Sequence, residues 1–239
     1  MTAALATGES TPRAAGEATL ASLTRAMENP LAAIVASSQL LVEELGPRHR
    51  CTGLACLIRE TGRRLHRTIH DLSVLASPAS FHPRPTDLTA LLRAETMGAG
   101  ERARARAVQV LANLPADPVM IEADPELLAS AVERILDHQL AVVPAQGLVE
   151  VSLHHNHPER VRVIFSDNGP PVPRDGLRMI FQPFYACAGR DCGLDLAAVE
   201  RIVRLHGGSI RALRNARGGL TFAWHLPLSC KSASRRSRP

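Results

Sequence analysis

Long apolar runs are missing from this chain. No window approaches the roughly 18 consecutive apolar residues of a spanning helix, which excludes one. The first ten residues, MTAALATGES, lack the basic start and apolar core of a secretory signal, so the expected compartment is the cytoplasm. Cysteine is sparse. Cys51, Cys56, Cys187, Cys192 and Cys230 form an odd set without tight pairs, which excludes a disulfide framework and predicts reduced thiols. Cys187 and Cys192 stand near His206 in sequence, but no second Cys/His pair with ligand spacing follows, and no metal site is expected. Lysine is almost absent, with Lys231 alone among 28 basic residues, a bias of a GC-rich genome without chemical meaning.

What is present is a chain of 239 residues, 45% hydrophobic, enough for one or two packed domains and too apolar for a disordered polymer. The net charge is +5, yet Lys231, Arg235, Arg236 and Arg238 crowd into the last nine residues. Removing those four leaves +1. The folded body is therefore nearly neutral, which argues against a nucleic-acid-binding core, while the tail remains able to touch polyanions.

Residues 1–17 are non-periodic and read as disordered. From Leu20 the apolar residues Leu23, Met27, Leu31, Ile34 and Leu41 fall at helical steps until Gly46-Pro47. Leu54, Ile58, Thr61, Leu65, Thr68, Leu72 and Leu75 then alternate steps of four and three, a heptad seam. The short linker makes the two helices antiparallel. A lone hairpin cannot bury such a stripe on both sides, so a second copy completing a four-helix bundle is expected.

Pro78 to Pro85 read as a linker, after which the pattern is mixed. Asp87 caps a short helix to about Glu95, Asp124-Pro125 opens another, and a third covers about 194–205. Strands alternate at Val108/Val110, Val149/Val151/Leu153, Val161/Val163/Phe165 and Leu220/Phe222/Trp224/Leu226. The expected fold is α+β: a helical hairpin, then a two-layer α/β sandwich. The expected domains are 18–78 and 82–228, with a basic disordered tail at 229–239.

Five stretches carry a resemblance over residues 20–228. They are Glu28-Asn29-Pro30-Leu31-Ala32-Ala33-Ile34, Ala123-Asp124-Pro125-Glu126-Leu127, Ser166-Asp167-Asn168-Gly169-Pro170, Ile180-Phe181-Gln182-Pro183-Phe184-Tyr185, and Leu205-His206-Gly207-Gly208 with Gly218-Gly219-Leu220-Thr221-Phe222. Singly each is weak: Asp167-Asn168-Gly169 is a common turn and His206-Gly207-Gly208 a helix stop. In this order they resemble the phosphoacceptor helix, metal-binding helix, adenine turn, phenylalanine motif and closing hairpin of bacterial sensor histidine kinases. The short lid from Tyr185 to Cys192 is similar to the nitrogen-regulatory type.

The resemblance implies ATP, Mg²⁺ and a phosphoacceptor histidine, and the sequence departs at each. Arg25 stands at the acceptor position, four residues before Asn29, and a guanidinium has no free nucleophilic nitrogen. No catalytic residue is therefore expected. His66 and His70, on the second helix, are the alternative acceptors for an active kinase. Arg134 and His138 replace the two metal-binding asparagines, and Ala141 a basic side chain; Arg134 has no acceptor atom for a cation, though it can meet a phosphate. Asp167 and Gly169 keep the adenine turn, and Pro171 replaces its next glycine. Asp191 and Asp195 flank Gly193 where the family has bare glycine N–H groups at a helix start. A carboxylate and a phosphate about 4 Å apart repel by roughly 4 kcal/mol at an effective dielectric near 20, about a thousandfold in affinity. Ala188 replaces the lid lysine.

The expected protein is a degenerate histidine kinase with weak or absent ATP and Mg²⁺ binding. No sensor segment precedes the hairpin in this sequence, so input is expected through a partner. The resemblance implies docking of a response-regulator receiver domain, or a true histidine kinase, with Val35, Ser38, Gln39 and Leu41 beyond Pro30 as candidate contacts. A phosphate relay and a transcription-associated regulator using the basic tail are further alternatives. Arg25 counts against the relay.

Overall fold

The computed structural model describes residues 12–46, 49–76, 81–185 and 194–229, with the backbone alone over 12–25. The chain divides into two units, Met1–Ala79 and Ser80–Pro239.

The first unit is a hairpin of α1 (Pro12–Leu45) and α2 (Thr52–Ala76). Helical backbone over 12–17 differs from the disorder expected there. Pro12 suits a first helical position and the alanines that follow favour helix; residues 1–11 lie outside the described residues. Gly46, with φ +67°, ends α1, and its carbonyl accepts the Thr52 hydroxyl at 2.5 Å. Val35 lies against Gly62, where a Cβ would meet its methyl at 3.0 Å, and Arg59 Nη1 donates to Gln39 Oε1 at 3.2 Å. The numbering rises on one helix as it falls on the other, so the helices are antiparallel.

The contact between the helices is offset from the expected seam. Leu31 and Ser38 on α1 are buried, with Ala55, Gly62 and Ile69 on α2 at seven-residue steps. Leu54, Ile58 and Leu65 of the expected seam are exposed instead, together with Met27, Ile34 and Leu41 on α1. Small residues let the backbones approach, and the bulky stripe is left outside.

In the second unit a five-stranded mixed sheet has the order β2-β4-β5-β7-β6. Its strands are β2 (Gln109–Asn113), β4 (Leu148–His157), β5 (Arg160–Asp167), β6 (Ser209–Arg214) and β7 (Leu220–Pro227). Only the β2–β4 pair is parallel. A separate antiparallel pair joins β1 (Arg84–Asp87) to β3 (Met120–Ala123). The helices are α3 (Leu88–Ala103), α4 (Pro125–Val142), the short α5 (Arg174–Met179) and α6 (Asp195–Leu205). The alternation of β4, β5 and β7 sends Val151, Val163, Phe165, Phe222 and Trp224 into the core, where Phe165 and Trp224 lie 4.9 Å apart. Asp87 caps α3 by accepting from Ala90 N–H, as expected, but α3 runs beyond Glu95 to Ala103. Its buried stripe continues through Thr96, Ala99 and Ala103, residues too small to advertise a helix face.

Among the described residues no helix is long and apolar enough to cross a membrane.

Candidate nucleotide site

The site lies where α4, the end of β5 and the start of α6 converge. Asp124 starts α4: its Oδ1 accepts the N–H groups of Glu126 and Leu127, each at 3.2 Å, with Pro125 supplying the preset first residue. The same residue is tied from behind. Its N–H donates to His206 Nε2 at 3.0 Å, and its Oδ2 accepts from His82 N–H. His206 Nδ1 therefore carries the proton and donates to Ile202 carbonyl at 2.8 Å. Burial pushes the His206 pKa down, and these contacts oppose it.

Helix α4 presents the three side chains that matter. Arg134 is buried (7% exposed); its Nε donates to Ser130 Oγ at 3.2 Å and its Nη1 to Asp195 Oδ1 at 3.4 Å. Asp195 is the first residue of α6, where a carboxylate suits the positive helix end, and its side chain is half exposed. His138, one turn on, sits edge-on to the Phe222 ring at 5.8 Å between centroids. Gln139 is wholly buried and its Nε2 donates to Asp167 Oδ2 at 3.1 Å. Asp137 turns to the other side and accepts from Arg102 of α3.

Asp167 ends β5 and is 2% exposed. Its Oδ1 accepts the N–H of Gly169 at 2.8 Å and of Leu220 at 3.1 Å. Burial raises its pKa, and those two bonds with the Gln139 bond oppose the rise. Asn168 Oδ1 accepts from Leu148 N–H, which fastens the turn to β4. Asn215 Nδ2 donates to the Asp167 carbonyl at 2.7 Å, fastening it to the β6–β7 hairpin. Gly219 passes so close that a Cβ would lie 2.2 Å from that carbonyl, so no side chain fits there.

Of the residues singled out in the sequence, the structure brings together Arg134 with Asp195. Asp167 and Gly169 meet each other and the same helix through Gln139. Gln139 and Asn215 carry no signal in the sequence: a lone polar residue on a helix or in a turn reads as solvated. Gly193, Asp191, Ala188, Cys187 and Cys192 lie outside the described residues, as do the Arg25 and His70 side chains and the basic tail. His66 is half-buried on α2 with its Nδ1 enclosed. Among the candidate docking residues Ser38 is 2% exposed and donates to the Val35 carbonyl at 2.8 Å. Val35 and Gln39 are half-buried, and Leu41 is exposed. Among the described residues no cluster of three His, Cys, Asp or Glu side chains is placed to hold a metal.

Residues 123–229 match the family model of the histidine kinase-, DNA gyrase B- and HSP90-like ATPase domain. The sensor histidine kinase ZraS of Klebsiella oxytoca is 26% identical over 205 residues, covering 85% of this chain and 44% of that protein. The adaptive-response sensory kinase SasA of Synechococcus elongatus is 26% identical over 176 residues, covering 72% of this chain and 45% of that protein. The chain thus spans less than half the length of these curated relatives. In fold it is similar to full-length ShkA crystallised with AMPPNP, at TM-score 0.73, 23% identity and coverage of 91% of this chain and 47% of that one. It is also similar to the histidine kinase ThkA in its complex with the response regulator TrrA, at TM-score 0.64, 17% identity and coverage of 91% and 64%. Residues 123–229 therefore form a histidine kinase-, DNA gyrase B- and HSP90-like ATPase domain, and with its helical hairpin the chain is similar to bacterial sensor histidine kinases.

Proposed function

We propose that this chain is a degenerate histidine kinase that acts in two-component signalling by binding a partner and not by transferring phosphate. The observation that carries the reading is the Arg134–Asp195 pair. Arg134 is the one cation of α4 suited to receive a phosphate, and it is directed at a carboxylate of the same chain. An incoming phosphate meets that carboxylate at the helix start and competes with it for the guanidinium. Oxygen ligands for Mg²⁺ are not what Arg134 and His138 offer. Arg25, at the acceptor position, gives no nucleophile. The residues therefore do not fit Mg²⁺-ATP, and no catalytic step is assigned to them.

The binding role rests on the hairpin. Met27, Ile34 and Leu41 form an exposed apolar line at seven-residue steps, continued by Ile58 and Leu65 on α2. Such a line suits a second copy, giving a four-helix bundle that we take to span 18–78, with the ATPase-type domain at 82–228. Val35, Gln39 and Leu41 are the remaining candidate contacts for a receiver domain, the class of partner that ThkA holds in its crystal.

Incubation with radiolabelled ATP and Mg²⁺ tests the first half: no acid-labile, base-stable label is expected on the chain, and such a label on His66 or His70 would overturn it. Titration against response regulators and kinases encoded nearby tests the second. Failure of all of them to bind at micromolar concentration removes the binding role.

A further inference from the structure

Within α4, Gln139 stands out as a polar side chain with no solvent exposure. One half of its carboxamide is satisfied, since Nε2 donates to Asp167 Oδ2 at 3.1 Å. The other half is not: Oε1 is buried without a partner. An apolar residue would avoid that orphan, so what position 139 gains from glutamine is the donor alone. Asp167 is closed on its other side, because Oδ1 already holds the Gly169 and Leu220 N–H groups. The acceptor left on this carboxylate is the one Gln139 fills. An amide N–H₂ directed at a buried carboxylate is the same hydrogen-bond chemistry as the exocyclic amine of an aminopurine directed at it.

We propose that Gln139 is a resident occupant of the amine-reading position at Asp167, standing in for the amine of adenine and closing the domain to that base. This rests on the reading of the domain as a degenerate nucleotide site, and it adds a cause at the base end that is independent of phosphate charge. The turn at 167–169 and the β6–β7 hairpin, joined through Asp167 and Asn215, then keep a fully bonded carboxylate with no nucleotide present. Shortening residue 139 uncovers the acceptor.

Adenosine is the probe, because it carries the amine and no phosphate and so ignores Asp195. Its binding is measured by calorimetry on the full chain, the Gln139→Ala and Gln139→Ser variants, and Gln139→Leu, which keeps the volume and removes the donor. Thermal melts verify folding, and two shortened variants guard against one failing to fold. The expected result is no saturable binding by the parent or Gln139→Leu, with an affinity gain of about tenfold or more in a shortened variant. Adding Asp167→Asn to that variant should abolish the gain. A folded shortened variant that binds adenosine no better than the parent overturns the proposal, as does a parent that binds it within tenfold of the variant. So does failure of both shortened variants to fold, since residue 139 is then structural. A parallel titration of the parent with Mg²⁺-ATP separates the two readings. Tight ATP binding there defeats the degenerate-site reading, whereas adenosine failing in both proteins defeats only the role of Gln139.

Discussion

Arg134 Nη1 lies 3.4 Å from Asp195 Oδ1, joining the middle of α4 to the first residue of α6. One partner is buried and the other half exposed, so solvent screening holds the pair to about 1 kcal/mol or less of stability. Its consequence for ligands is larger. Asp195→Gly removes this carboxylate from Arg134 Nη1 and the acid from the helix start together. Pyrophosphate affinity, measured by calorimetry, should rise by about tenfold or more, with the gain shrinking as salt is raised. Unchanged affinity at low salt would show that the pair does not guard this end.

His206 makes the domain sensitive to mild acid. Burial depresses its pKa below the ordinary 6.5, so the unfolded chain binds a proton that the folded chain refuses. Stability is therefore full above about pH 6.5 and is lost as pH falls from there through the folded-state value. Urea midpoints at pH 7.5 and 5.5 should differ in that direction. His206→Ala should remove part of the slope and lower stability by about 1–3 kcal/mol at pH 7.5, because the Asp124 N–H loses its acceptor. His225, shifted the same way by burial and by Arg162, Arg211 and Arg160, supplies a remainder.

Asp167 works with the opposite sign. Burial raises its pKa above 3.8, so its contribution is fully present below that value and is lost as pH rises through the folded one. Asp167→Ala strands three donors and should cost about 3 kcal/mol or more in urea unfolding. Asp167→Asn should cost under about 1 kcal/mol, because Gln139 can turn its carboxamide so that Oε1 accepts from the new amide. The Asn variant should also gain on the parent as pH rises from 4 to 7. Equal losses for Ala and Asn would refute the turning carboxamide.

The parts legible in the sequence were those with a repeating signal. β4, β5 and β7 alternate over long runs, and Asp124-Pro125 marks a helix start by chemistry alone. β1 and β3 have four residues each, one of them Pro85, too few for a period to stand out. In α2 a seam of alternating four- and three-residue steps runs beside a line of seven-residue steps, and hydrophobicity favours Leu54, Ile58 and Leu65 over Ala55, Gly62 and Ile69. Packing takes the second line, with Gly62 as the point of close approach to Val35. At the site, Arg134 and Asp195 were visible as departures from a motif, but their pairing spans sixty residues of chain and needed the fold. Gln139 carried no signal, since only its distance from Asp167 gives it meaning.

The exposed line on the hairpin yields a test of assembly. Ile34 is 48% exposed at the edge of the α1–α2 contact, its Cγ2 3.8 Å from where a Cβ on Gly62 would lie, and Ile34→Arg puts a charge on the exposed line. Light scattering should give twice the chain mass for the parent and the single chain mass for the variant, with helical circular dichroism retained. A parent that is monomeric at micromolar concentration removes the bundle.

Replacing Arg25 by histidine restores the nucleophile and nothing else. Autophosphorylation needs a nucleotide held with its terminal phosphate in reach, and under the proposed function that fails in the second unit, at both ends of the nucleotide and at its Mg²⁺. Gln139 fills the base end and Asp195 the phosphate end. Arg25→His alone should therefore take up no acid-labile label from radiolabelled ATP, at any Mg²⁺ concentration. Because each obstacle acts on binding, their removals should multiply, and detectable label should require Gln139→Ala and Asp195→Gly beside Arg25→His, with oxygen ligands for Mg²⁺ restored by Arg134→Asn and His138→Asn. Label on the single variant would mean that nucleotide binds and is delivered despite both occupants, and that Arg25 is the one lesion in a working kinase.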